Sequence, residues 1–406
     1  MIAPPPPLTA LKEGRWFKLI CGASYQHLPA IRSLALAYAL AGADCIDIAA
    51  DPSVLAAVQA ALTVADRLAP EFFIPSPQQP RYHRPWVMVS LNDGEDPHFR
   101  KAEFDPAHCP ADCPRPCEAI CPAEAIALGG VIDSRCYGCG RCFPVCPLQL
   151  ITPRAFSTSP AGVAAQLLPQ VDAVELHTQV GHGDAFARLW QSIRPHLHGL
   201  KLLAISCPSA PGAVAYLWDL YRLMGPLPIP LIWQADGRPM SGDIGAGTTH
   251  AALRYGQELL AAGPPGFVQL AGGTNHHTAL KLRQADWAIS LGSSPYSPRD
   301  RDRPAPPTPH FGGVAYGSYA RRCLAPTLAQ LTAIALASEG KAEPPLEQIP
   351  DLLYAAVHVA RGLVSPLKGL EPRIKAGSAP APLQSVASRA PTLTGGPPGP
   401  LSDRFE

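Results

Sequence analysis

Thiolates set three or four positions apart are the groups in this sequence best equipped for chemistry. Eight of the twelve cysteines lie between Cys109 and Pro147. Cys136, Cys139, Cys142 and Cys146, followed by Pro147, have the spacing C-x2-C-x2-C-x3-C-P, in which four thiolates grip an iron–sulfur cluster. Cys109, Cys113, Cys117 and Cys121, followed by Pro122, are set wider, as C-x3-C-x3-C-x3-C-P. In two-cluster proteins the fourth cysteine of each run crosses to the other cluster. That rule groups Cys136, Cys139 and Cys142 with Cys121, and Cys109, Cys113 and Cys117 with Cys146. The expectation is two 4Fe–4S clusters, with 3Fe–4S open for one of them because the wider run could hold an iron weakly. The prolines turn the chain back, and Gly138 and Gly140 let amides approach sulfur. Zinc would favour two Cys-x2-Cys knuckles on a longer loop, and disulfides a secreted chain.

A second tier of candidates is charged. Lys18, Asp47 and Glu175 stand where a buried strand would normally carry apolar residues. Either they neutralise one another or they line a ligand pocket. Ala271-Gly272-Gly273-Thr274-Asn275 resembles the phosphate-cradling loop of flavin-binding barrels, with Gly312-Gly313-Val314-Ala315-Tyr316-Gly317 as its companion, which raises FMN as a further cofactor. Two ordinary glycine turns are the plainer reading. The G-x-G of Asp243 to His250 lacks an acidic partner in register, and His276 and His277 read as the first turn of a helix. Gly-x-Ser-x-Gly, His-Glu-x-x-His and P-loop patterns are missing, so hydrolysis and phosphoryl transfer have no visible machinery.

Positioning these groups falls to a repeating strand–helix alternation. Strands are expected at Phe17–Gly22, Asp44–Ala50, Trp86–Leu91, Val171–His177, Lys201–Cys207, Pro230–Gln234, Gly266–Leu270 and Ala285–Leu291. Helices fall between them, at Leu28–Ala41, from Asp51-Pro52 to about Leu68, and at Asp184–Arg194, Ala213–Leu223 and Thr249–Ala261. Such alternation implies a parallel sheet, and eight units suggest closure into an α/β barrel of the (β/α)8 type rather than an open doubly wound sheet. The cysteine segment follows the third strand, so it is an insertion at the barrel mouth. The divisions are barrel at 11–100, a ferredoxin-like insertion at 101–152, barrel again at 153–345, a terminal helix at 346–370 and an unstructured tail at 371–406. Pro4–Pro7 reads as a polyproline arm, 296–309 as a proline-rich loop, and Pro326–Glu339 and Ile349–Leu363 as helices outside the barrel.

Composition narrows the partners. Hydrophobic residues make up 47% of the 406 and charged residues 16%, with a formal net charge of +1, so no field exists to hold nucleic acid or an anionic membrane. With no signal-peptide pattern and no transmembrane-length apolar run, the expected place is the cytoplasm.

Taken with the cysteine runs, the stretches Gly14-Arg15-Trp16-Phe17-Lys18-Leu19-Ile20-Cys21-Gly22-Ala23 and Ala41-Gly42-Ala43-Asp44-Cys45-Ile46-Asp47-Ile48-Ala49-Ala50-Asp51-Pro52 resemble the LdpA family, over most of residues 11–340. The resemblance implies an iron–sulfur regulator that reports redox state, and so light, to the cyanobacterial circadian clock. Its implied partners are the Kai oscillator proteins and the CikA histidine kinase; electron carriers of the quinone and ferredoxin pools are a further expectation that rests on the clusters. It implies the eight named cysteines as ligands and carries over no catalytic residue. The competing expectation is a flavin-dependent oxidoreductase, or an electron-transfer protein, whose clusters feed a site at the barrel mouth.

Overall fold

The computed structural model describes residues 6–22, 27–73, 81–94, 100–121, 125–127, 129–133, 136, 142–155, 160–238, 247–284, 310–337 and 343–369. The chain opens with α1 (Pro6–Lys12), whose first residue supplies the proline a helix tolerates at its start. Strand β1 (Trp16–Ile20) leads to α2 (Leu28–Ala41), which Gly42 ends in the left-handed region at φ 98°. After β2 (Cys45–Ala49) comes α3 (Pro52–Phe72), and there Asp51 Oδ1 accepts the amides of Ser53 at 2.7 Å and Val54 at 3.1 Å. That cap satisfies two of the four N–H groups a helix start leaves unbonded.

Strand β3 (Trp86–Asn92) delivers the chain to a separate lobe made of β4 (Arg100–Glu103), α4 (Pro116–Ile120), β5 (Ile126–Ala127), β6 (Gly130–Val131) and β7 (Thr152–Ala155). The alternation then resumes with α5 (Pro160–Leu167), β8 (Ala173–His177), α6 (Gly183–Ile193), β9 (Leu202–Pro208), α7 (Ala213–Met224), β10 (Leu231–Asp236), α8 (Thr249–Ala262) and β11 (Phe267–Ala271). Strand β12 (Phe311–Tyr316), α9 (Ser318–Ala337) and α10 (Pro350–Lys368) complete it. Eight strands close a ring in the order β1-β12-β11-β10-β9-β8-β3-β2, with every pair parallel. The lobe leaves the ring at the C-terminal end of β3, the face on which barrel sites are built.

Side chains fill the ring in layers. Trp16, Cys45, Trp86, Leu202 and Ile232 form an apolar floor against which Leu11 of α1 packs. Outside the strands, the apolar faces of the helices form one large core. Helix α10 lies on α2 and plants Lys368 on Asp44, which also accepts the Phe17 amide at 2.7 Å. Among the described residues no helix is long and apolar enough to cross a membrane.

Three expectations are corrected. The eighth strand is Phe311–Tyr316, in the stretch expected to be a glycine-rich turn, whereas Ala285–Leu291 lies outside the described residues. Its glycines permit close approach, since a Cβ on Gly313 would sit 2.1 Å from the Trp16 carbonyl oxygen. The polyproline arm is already helical from Pro6, because Leu11 has the barrel floor to cover. The helix expected from Pro326 begins at Ser318 and runs through that proline. The 296–309 loop, the 371–406 tail and most of the G-x-G stretch lie outside the described residues.

Candidate metal centre

An antiparallel ribbon of β4 and β7 frames the lobe, pairing Lys101 with Arg154 and Glu103 with Thr152. Ala102, Ala125, Ile126 and Ile151 form a small core with Cys117, Cys136 and Cys142. Around one small, open hollow the chain assembles Cys109, Cys113, Cys117 and Cys146, with Phe104, Pro116, Leu148 and Ile151 among the apolar lining. These are the four cysteines that the crossover rule groups.

The backbone is bent to serve their sulfurs. Burial works against ionisation of Cys146, but the amides of Leu150, Leu148, Ile151 and Gln149 point at its sulfur and hold the thiol below its usual range. Such a nest of amides needs a left-handed residue, and Gln149 has φ 52°. Arg115, at φ 50°, is the other left-handed non-glycine among the described residues, and its Nε is buried without a hydrogen-bond partner. Burial pushes the Cys109 and Cys117 thiols up, and neighbouring Cys113 and Cys146 add to the effect. These thiols would release their protons to solvent on binding iron as thiolates.

The second set is more enclosed. Cys136 and Cys142 are buried and Cys121 is half-buried, while Cys139 lies outside the described residues. Ala102 donates its amide to Cys136 Sγ at 3.3 Å, and Ala125 donates to Cys121 Sγ at the same distance. Every described cysteine is a free thiol, and no three metal-binding side chains among the described residues converge on a single point. Sulfurs that surround a volume, with amides directed at them and an orphaned guanidinium N–H nearby, fit an iron–sulfur cluster better than a lone zinc ion.

The charged candidates sit inside the barrel. Lys18, Asp47 and Glu175 are 0%, 2% and 0% exposed. Lys18 Nζ donates to Glu175 and lies 3.3 Å from Asp47. Glu175 also lies 3.0 Å from His177 Nε2 and accepts from Gln234 at 2.8 Å. Gln269 donates to Gln234 at 2.6 Å, Trp16 to Gln269 at 2.6 Å, and Ser90 to Asp47 at 2.7 Å. Burial opposes ionisation of Glu175, but Lys18 and the His177 hydrogen bond hold its carboxyl below the usual range. Burial, partly countered by Lys18, pushes Asp47 up to about 6. Sequence reasoning missed Ser90, His177, Gln234 and Gln269, although a polar residue on the inward parity of a buried strand was available as the signal.

Gly272 and Gly273 lie in the turn after β11 at φ 63° and 102°. A Cβ on either would come within 3 Å of the Gly237–Arg238 backbone or of the Thr248 carbonyl oxygen. In the same turn Thr278 Oγ1 accepts the Asn275 amide and Asn275 Oδ1 accepts the His277 amide, so the two histidines precede a helical turn at 278–284. At the root of the lobe, Asp93 accepts from Thr178 and lies 3.0 Å from His182 Nδ1.

Residues 109–157 match the LdpA Fe-S cluster-binding domain, and residues 167–366 match the light dependent period A C-terminal domain. Fold and lobe together define an iron–sulfur protein built on a parallel α/β barrel. Light dependent period A of Synechococcus elongatus is 51% identical over 364 residues, which cover 89% of this chain and 94% of that protein. The chain belongs to the LdpA family. Tryptophan synthase from M. tuberculosis, solved in its aminoacrylate-bound form, covers 87% of this chain and 98% of its own at 13% identity, with a TM-score of 0.35. That likeness is too loose to carry fold or chemistry across.

Proposed function

We propose that this protein is a two-cluster redox sensor that adjusts the period of a light-responsive clock. The observation that carries the reading is that Cys109, Cys113, Cys117 and Cys146 line one hollow, beside a second set in which Cys136 and Cys121 sulfurs receive backbone amides. When bound, a cluster supplies a one-electron couple. Held by these cysteines, such a cluster would accept one electron from a reduced ferredoxin-type or quinol carrier and release it to an oxidised one, with no bond to the carrier formed. The residues of the lobe hold the sulfurs, exclude water on the Phe104 and Ile151 side and leave Leu148 half in solvent at 51%. A change of charge or occupancy in the lobe would then alter the surface offered to partners, which by family are the Kai proteins and the CikA kinase.

The name of the Synechococcus relative, which ties period to light, supports the reading. The barrel network supports sensing over turnover, because Lys18, Asp47 and Glu175 are engaged with one another. The test replaces the resident protein of S. elongatus with this chain or its Cys142→Ser variant. The variant should accumulate normally yet lose the dependence of period on light. An undiminished light response in that strain would reject the proposal.

A further inference from the structure

The orphaned guanidinium of the lobe belongs to a ligand loop. Arg115 stands two residues after Cys113 and two before Cys117, and its Nε–H is buried with no hydrogen-bond partner. Glu118 lies 3.8 Å from a different nitrogen, Nη1, which is too long for a hydrogen bond and leaves Nε unserved. A buried donor without an acceptor costs stability, so its presence calls for a reason. The helix that follows supplies none. Arg115 is the N-cap of α4 at φ 50° and ψ 54° and makes no capping bond with its side chain. Glycine would take that left-handed backbone with less strain, and asparagine would also cap the helix. Sulfur lies close by: the positive charge of Arg115 acts on the Cys109 thiol, and the next residue, Pro116, lines the hollow beside Cys109, Cys113, Cys117 and Cys146.

We infer that Arg115 is a positioning residue for the outer site, its Nε–H a hydrogen-bond donor kept for a sulfur of the cluster that Cys109, Cys113, Cys117 and Cys146 would hold. The sulfurs of such a cage carry negative charge and accept hydrogen bonds, and reduction adds one charge more. A donor directed at them is therefore engaged more strongly in the reduced form and raises the reduction potential. The donor matters here and the net charge does not, because Glu118 and solvent at a side chain 23% exposed screen the guanidinium, while neither serves Nε. Elsewhere in the lobe the donors to sulfur come from backbone, at Ala102, at Ala125 and along 148–151. A side-chain donor at the outer site is one that a single substitution can remove. This rests on the reading of the lobe as a cluster holder.

The test uses the full chain reconstituted under anaerobic conditions, with iron and sulfide counted first and potentials then read by titration with low-temperature magnetic resonance. The outer signal is the one that Cys117→Ser removes. Three variants separate donor from charge at the place of Nε along the side chain: Arg115→Gln keeps an N–H there without the charge, Arg115→Lys keeps the charge with a methylene there, and Arg115→Met has neither. At the parent's midpoint the outer signal of the lysine and methionine variants should shift about tenfold toward the oxidised form, which is 59 mV for one electron. The glutamine variant should keep the parent's value, and the other signal should stay in place throughout. If the lysine and methionine variants instead fall short by one cluster's iron while the glutamine variant fills, the donor holds the cluster in place and the assignment stands. An unmoved outer potential in the methionine variant at full iron content overturns it. So does a lysine variant that matches the parent, or a glutamine variant that fares no better than methionine. A parent protein that takes up no iron defeats the cluster reading itself, a result distinct from a loaded parent whose Arg115 variants behave alike.

Discussion

Within the barrel, Lys18 faces Glu175 and Asp47, Glu175 meets His177 and Gln234, and the chain of hydrogen bonds runs down through Gln269 to Trp16 near the floor. Within the lobe, the polar atoms are sulfurs, and what meets them is backbone: Ala102 at Cys136, Ala125 at Cys121, and the bent 148–151 segment at Cys146. The first arrangement balances its charges with side chains and closes on itself. The second turns amides toward atoms that open onto a hollow. A buried polar network that satisfies itself is what a fold needs, whereas donors gathered around a cavity prepare for a guest. The contrast assigns stability to the barrel interior and cofactor chemistry to the lobe.

The largest effect should come from emptying the hollow. Cys117→Ser or Cys146→Ser should remove one complete cluster's share of iron and sulfide, with the unfolding midpoint of the barrel unchanged. A collapse of the barrel in either variant would erase the division. Next in size is Lys18→Met, which leaves two carboxylates buried without their cation and should cost about 3–5 kcal/mol. Denaturant unfolding would measure that loss, and iron content per folded chain should not move.

The smallest effect is a slope. Burial, with Glu175 close by, lifts Asp47 from the usual 3.8 to about 6. The folded state therefore keeps a proton that the unfolded chain releases across that window, and stability falls as pH rises through it. Glu175 acts the other way, since its depressed carboxyl supports the fold above about 4.5 and loses that support as the solution is acidified. Asp47→Asn should flatten the fall between about 4 and 6, as followed by urea midpoints at several pH values. A slope that persists in the variant would place the titrating group elsewhere.

Seven of the eight ring strands, α2 and the Asp51 cap of α3 were legible because apolar periodicity and capping chemistry are local signals. The eighth strand was not, since Gly312-Gly313 carries the mark of a turn, and its real purpose, room for the Trp16 backbone, exists only once β12 lies beside β1. The same limit hid the hydrogen-bonding partners around Glu175. Gln234 and Gln269 are ordinary strand residues until the register sets them on one inner face. In the lobe, ligand spacing is written along the chain, and it grouped Cys109, Cys113 and Cys117 with distant Cys146. The amide donors belong to the folded lobe and left no trace in the spacing.

Strand β1 has β12 as one of its two neighbours, so the ring shuts only after residue 316 has been synthesised. By then all eight cysteines of the 109–146 segment have long since left the ribosome, because domains emerge and fold from the N-terminal side. A nascent chain thus has its cysteine-bearing part finished while its scaffold is still an open, incomplete sheet. The order in which the ligands and the closed scaffold become available is set by the seam between the first strand and the last.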